Sequence, residues 1–121
     1  HNRLVSAAAA GELFSSSPAW GVGLNNFIVR LPEIKLVTGV FWWLQPVHNI
    51  FLLVLAETGI FGLLLFTFLL TKAGAASTKK GKILFGLAII FMVVTGLADH
   101  YWLTLQQNQL LLSLVLGLSF R

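Results

Sequence analysis

The sequence predicts an all-α fold: a polytopic membrane protein fragment with about three transmembrane helices and a partly helical extracytoplasmic loop. Three observations lead there. Of the 121 residues, 57% are hydrophobic and only 10% are charged, whereas a soluble domain carries about a quarter charged residues. The mean hydropathy is +0.87. The apolar residues gather into runs separated by short polar or aromatic stretches, and in a bilayer only helices or closed barrels satisfy the backbone. Runs of this length and apolarity are helices. The chain starts at His1 with neither methionine nor a signal-peptide pattern, so it is expected to be the C-terminal part of a longer polytopic protein. Without cysteine, disulfides, thiolate metal sites and cysteine nucleophiles are excluded. The net charge of +4 comes from scattered or loop-clustered basic residues. That pattern points to membrane topology and to contact with membrane lipids rather than to nucleic acid.

Residues 1–17 form a candidate amphipathic helix. Leu4, Ala7, Ala8, Leu13 and Phe14 can share an apolar side, with Arg3, Ser6 and Glu12 elsewhere. It is too short and mixed to span, and is expected at the interface or over the membrane domain. Ser15-Ser16-Ser17-Pro18 ends it. Residues 18–46 then read as an outer loop with structure of its own, which with the first helix makes an extracytoplasmic unit over 1–46 and leaves 47–121 as the membrane domain. Gly21 and Gly23 permit tight or positive-φ backbone but are not followed by the Lys-Ser/Thr of a phosphate loop. Phe41-Trp42-Trp43 resembles an aromatic belt at a membrane surface.

The first span is expected over 47–70, with Gly59 and Gly62 as close-packing residues. Residues 71–82 form a short loop carrying Lys72, Lys79, Lys80 and Lys82. A second span covers 83–98, Asp99-His100-Tyr101-Trp102 makes a polar and aromatic turn, and a third span covers 103–120 before Arg121. Lysines concentrated in a short loop put that loop in the cytoplasm. His48, Asp99, His100 and the loop 1–46 then all lie on the outer face.

His48 is the strongest candidate site residue. An imidazole near its ordinary pKa of about 6.5 takes a proton at neutral pH; the bland alternative is an interfacial residue that ends the helix. Asn49 could orient the ring or a substrate oxygen. Glu57 lies about 13 Å along a helix from His48 and half a turn out of phase, so on one regular helix the two do not touch. Either the helix is irregular or Glu57 faces another element, where a buried carboxyl can stitch two segments together. Arg3 and Arg30 are outer cations whose forks suit phosphate oxygens or, alternatively, lipid headgroups. Asp99-His100 reads as a dyad or as an aspartate capping the third helix. No recognised metal-ligand spacing joins His1, His48 and His100, so no metal site is expected.

These residues carry a resemblance. His48-Asn49, followed after nine residues by Gly59-Ile60-Phe61-Gly62, resembles the His-Asn signature of the O-antigen ligase and O-antigen polymerase superfamily of bacterial membrane glycosyltransferases. Ser17-Pro18-Ala19-Trp20-Gly21-Val22-Gly23-Leu24-Asn25-Asn26-Phe27 is similar to the family's P-x-x-G-x-G-x-x-x-F stretch. Asp99-His100-Tyr101 with Thr104-Leu105-Gln106-Gln107 resembles the tail of many ligase-like members. Arg3 stands about where the family's outer loop carries an arginine, although Ala7 replaces the leucine often found four residues on.

The resemblance implies transfer of a glycan from an undecaprenyl-diphosphate carrier to a glycan or lipid acceptor on the outer face of the bacterial inner membrane. It implies no cofactor, metal or nucleotide. On it, His48 acts on the acceptor hydroxyl and Arg3 holds the diphosphate; Asn49, Glu57 and Arg30 are further substrate-side candidates. The earlier spans of the family carry additional basic residues, so this stretch alone is expected to be inactive. Two other readings stand beside it. One is a transporter or channel using His48 and Glu57 as a proton or ion relay. The other is a non-catalytic assembly subunit. The gathering of polar residues at one end favours chemistry at the outer interface over a relay across the membrane.

Overall fold

A computed structural model describes residues 2–34, 45–79 and 82–121. The Phe41-Trp42-Trp43 belt and Lys80 lie outside the described residues. The described chain is all-helical, in the order α1 (Asn2–Ser16), α2 (Phe27–Arg30), a 3-10 turn (Leu31–Glu33), α3 (Ile50–Lys79), α4 (Ile83–Gly96), α5 (Tyr101–Thr104) and α6 (Gln106–Phe120). One helix, α3, is long and apolar enough to cross a membrane. α4 is apolar but shorter.

Three boundaries differ from those read in the sequence. The apolar run opens as helix at Ile50 rather than Val47, because Asn49 caps it. The helix also continues to Lys79, through residues expected to form a loop. Ala73, Ala75 and Ala76 are strong helix formers, and Ala73 and Ser77 are fully buried, so packing holds this stretch helical. Finally, the last helix starts at Gln106, because Leu105 is extended (φ -95°, ψ 125°). The short α5 before it is closed by side chains. The Trp102 indole N–H donates to Thr95 Oγ1 (2.7 Å), and Gln109 Nε2 donates to the Leu103 carbonyl.

Two apolar cores organise the helices. In the first, Ala9, Ala10 and Leu13 of α1 pack with Phe27, Leu31, Ile34, Val47, Leu53 and Ala56. The packed side of α1 is therefore centred on Ala9, Ala10 and Leu13, whereas Leu4 is 77% exposed and Ala8 is also exposed. Small side chains at Ala9, Ala10 and Ala56 let the two helix backbones approach closely. In the second core, Leu70 and Ala73 of α3 meet Ile89 and Met92 of α4 and Leu112 and Val115 of α6. Ser77 and Ser119 are buried at this bundle, their hydroxyls returned to the carbonyls of Ala73 (2.9 Å) and Val115 (2.7 Å). The bundle's outer surface remains apolar, with Phe61, Leu64, Phe68, Leu87, Phe91 and Leu114 all exposed.

α3 is broken at Gly59, whose backbone (φ 67°, ψ -167°) only glycine adopts without strain. The loop after α1 fills the break. Ile60 N–H donates to Pro18 O (2.9 Å), Val22 N–H to Ala56 O (3.0 Å) and Gly23 N–H to Glu57 O (2.8 Å). The contact is backbone against backbone. A methyl group at Gly21 would strike the Glu57–Thr58 peptide, and one at Gly59 would strike the Ala19–Trp20 peptide. Gly59 is thus a conformational residue as well as a small one, and the Pro-x-x-Gly-x-Gly stretch is the strap that satisfies it.

The two ends of the bundle differ chemically. At one end, Lys82 precedes α4 and its Nζ donates to Leu118 O (3.0 Å), capping the carbonyl end of α6. At the other end, the turn after α4 carries Asp99 and His100 back to His48.

Candidate functional site

His48 is placed by its neighbour. Asn49 Oδ1 accepts the N–H groups of Phe51 (2.9 Å) and Leu52 (3.1 Å), the N-cap arrangement for α3. Its Nδ2 donates to Leu97 O (3.1 Å), just past the end of α4. One amide therefore starts α3 and latches it to the chain two residues before Asp99. This gives the His-Asn pair a physical meaning: asparagine is the part that brings histidine to the far segment. Both ends of its side chain are engaged in that task.

The His48 imidazole meets two groups. Its Nδ1 lies 3.6 Å from Asp99 Oδ1, and its ring centre lies 5.2 Å from that of His100. His100 Nε2 is 3.9 Å from the same Asp99 oxygen. That carboxylate oxygen also accepts the His100 N–H at 2.7 Å, which sets its orientation. Asp99 therefore bonds within the turn instead of capping a following helix through its side chain; the N-cap of α5 is His100.

His100 is 7% exposed and its ring is oriented by Thr104. The Thr104 hydroxyl donates to His100 O (3.2 Å) and lies 2.8 Å from His100 Nδ1. Both Thr104 contacts are met together by the tautomer that carries its proton on Nδ1, which leaves Nε2 as the ring nitrogen toward Asp99. Burial holds the His100 pKa below its ordinary value; the Asp99 charge opposes that shift and His48 adds to it. Tyr101 packs edge-on against the His100 ring at 4.9 Å.

The other candidates stand apart from this cluster. Glu57 is buried, and its Oε1 accepts the Phe27 N–H (3.1 Å) at the start of α2. It joins the loop to the break in α3, so the helix is irregular and the carboxylate also faces another element. Arg30 pairs with Glu33 (3.2 Å) on the exposed surface. Arg3 is exposed in the first turn of α1. A cleft of about 700 Å³ runs past Phe27, Leu53, Glu57, Leu65, Leu103 and Thr104. Thr104 thus borders the cleft and supports His100 at once.

The sequence left Asp99-His100 open and gave Thr104 no role of its own. The signal for the pair was topological, since one turn at the end of the second apolar run returns to the end that bears His48. Thr104 is one helical turn after His100, and only the fold makes that spacing informative. No family model, curated protein or solved structure matches the chain.

Proposed function

We propose that this chain is part of an O-antigen ligase-like membrane glycosyltransferase, with the His48–Asp99–His100 end at the outer face of the bacterial inner membrane. In this reading α3, α4 and α6 all span, and the lysine end is cytoplasmic. The apolar outer surface of the bundle and the opposite placement of lysines and histidines support that topology. The single observation that carries the functional reading is His48 facing Asp99, with a second histidine beside them, at the end of an apolar bundle.

The chemistry needs little more than positioning and charge. As the acceptor oxygen bonds to the anomeric carbon, the carbon–oxygen bond to the undecaprenyl diphosphate breaks and the diphosphate leaves with its electron pair. The acceptor hydroxyl proton passes to His48 Nε2, while Asp99 facing Nδ1 orients the ring and stabilises the imidazolium. Arg3 is the candidate cation for the diphosphate, whereas Arg30 is already matched with Glu33. A proton relay is less well supported, because Glu57 is engaged by the Phe27 amide at a separate place in the fold.

The test is complementation by the full-length protein carrying His48→Ala, in a strain whose surface-polysaccharide transfer depends on it. Transfer should fall about 10²–10⁴-fold with normal accumulation in the membrane, the range for losing a general base. Transfer near the wild-type level at normal accumulation would sink the proposal.

A further inference from the structure

We propose that His48 Nδ1, an Asp99 carboxylate oxygen and His100 Nε2 form a three-ligand site for a divalent transition metal of the zinc class. The three donor atoms lie within 4.8 Å of one another. Zinc bonds of about 2.0–2.1 Å in a tetrahedral site put ligand atoms roughly 3.3 Å apart. The His48–Asp99 and His100–Asp99 separations of 3.6 and 3.9 Å are close to that spacing. The His48–Asp99 distance is also longer than the 2.7–3.2 Å of an ordinary N–H···O bond. It is long for a shared proton and suited to two ligands of one ion.

The hydrogen bonds around the cluster support the same conclusion. His48 Nδ1 is buried without a hydrogen-bond partner among the described residues. In the tautomer that satisfies both Thr104 contacts, the Nε2 lone pair of His100 is free for a metal and lies on the Asp99 side. Asp99 Oδ1 is a further acceptor, held by the His100 N–H. Three atoms able to ligate a metal thus converge at a partly sheltered position, His100 buried and His48 and Asp99 half-buried. The His100–Thr104 bond is the outer-shell contact that fixes tautomer and ring orientation in metal-binding histidines. Two imidazoles and one carboxylate suit zinc, cobalt or nickel better than calcium or magnesium. A fourth position remains for water or a substrate oxygen. The site escapes sequence motifs because its ligands come from two segments about fifty residues apart.

Metal binding is independent of the transfer reading. One consequence rests on that reading: with a metal on Nδ1, His48 carries its ring proton on Nε2 and no longer accepts one. Metal loading then inhibits transfer.

The experiment uses the full-length protein in detergent, stripped with chelator and titrated with Co²⁺. The expected result is one equivalent bound with the intense visible bands of four-coordinate cobalt, displaced by Zn²⁺. Asp99→Asn and His100→Gln should each weaken binding at least about 100-fold, and Thr104→Val about 10–100-fold, as outer-shell losses do. Helical circular dichroism and gel filtration establish that each variant is folded; Thr104→Val, which removes no ligand, keeps the test decisive should a ligand variant unfold. Absence of the bands, or binding that folded variants leave unchanged, would overturn the proposal. Loss of transfer in His48→Ala, while the wild-type protein binds no cobalt, would refute the metal and leave the transfer reading standing. Cobalt binding by the wild-type protein, with transfer intact in His48→Ala, would do the reverse.

Discussion

Two ionisable groups on the same stretch of chain, the half-buried His48 and the buried Glu57, meet opposite fates. Both stand in or beside the run that becomes α3, and both are ionisable groups of the kind that in a membrane helix signal function. Glu57 is answered by backbone: Phe27 N–H donates to its carboxylate, and its own carbonyl accepts Gly23 N–H. Nδ1 of His48 is answered by no hydrogen bond among the described residues and faces an acid and a second imidazole. Burial of charge therefore does not by itself mark a site. What distinguishes the two regions is that the Glu57 carboxylate accepts a backbone hydrogen bond at the strap, whereas His48 Nδ1 has none among the described residues.

Mutations can break or sharpen this contrast. The largest effect is expected at the strap. Gly59→Ala and Gly21→Ala each force a side chain into a positive-φ position and against an opposing peptide. Each should destabilise by about 3–5 kcal/mol, in the range reserved for such collisions, seen as loss of folded protein on gel filtration. Next comes Glu57→Ala, which leaves the Phe27 amide without its acceptor and should cost about 1–3 kcal/mol. Glu57→Gln keeps an acceptor and should stay close to wild type in thermal unfolding. Should Glu57→Gln abolish transfer in a folded protein, the contrast between the regions fails.

Asn49→Ala removes the α3 cap and the latch to Leu97, and should cost about 1–2 kcal/mol. Asn49→Asp retains the cap but not the donor to Leu97 O. It should therefore lose more transfer than stability, a split that separates positioning of His48 from folding. The smallest effect is expected for Arg30→Ala. Its exposed pair with Glu33 should contribute less than about 0.5 kcal/mol to unfolding stability.

The helices were legible because apolar run length is a strong signal, and α1 ended near its Ser-Ser-Ser-Pro boundary. The break at Gly59 was not. A glycine in an apolar run ordinarily reads as a packing residue, and only the strap some forty residues earlier makes it conformational. Phase along an ideal helix already separated Glu57 from His48, but not the partner that Glu57 finds. For the candidate site, topology alone brought Asp99 and His100 to the end that carries His48. The lone-pair geometry depends on the Asn49 latch and the Thr104 hydroxyl, neither of which has a distinctive spacing in the sequence.

The most direct measurement compares Asp99→Asn with Glu57→Gln in the full-length protein, assayed for surface-polysaccharide transfer at matched membrane levels. The account predicts at least about a 100-fold loss for Asp99→Asn, since the orienting charge beside the proton acceptor is gone. It predicts transfer within about twofold of wild type for Glu57→Gln, whose acceptor role survives. Full transfer in Asp99→Asn together with loss in Glu57→Gln would move the site from the histidine cluster to the strap and contradict the account.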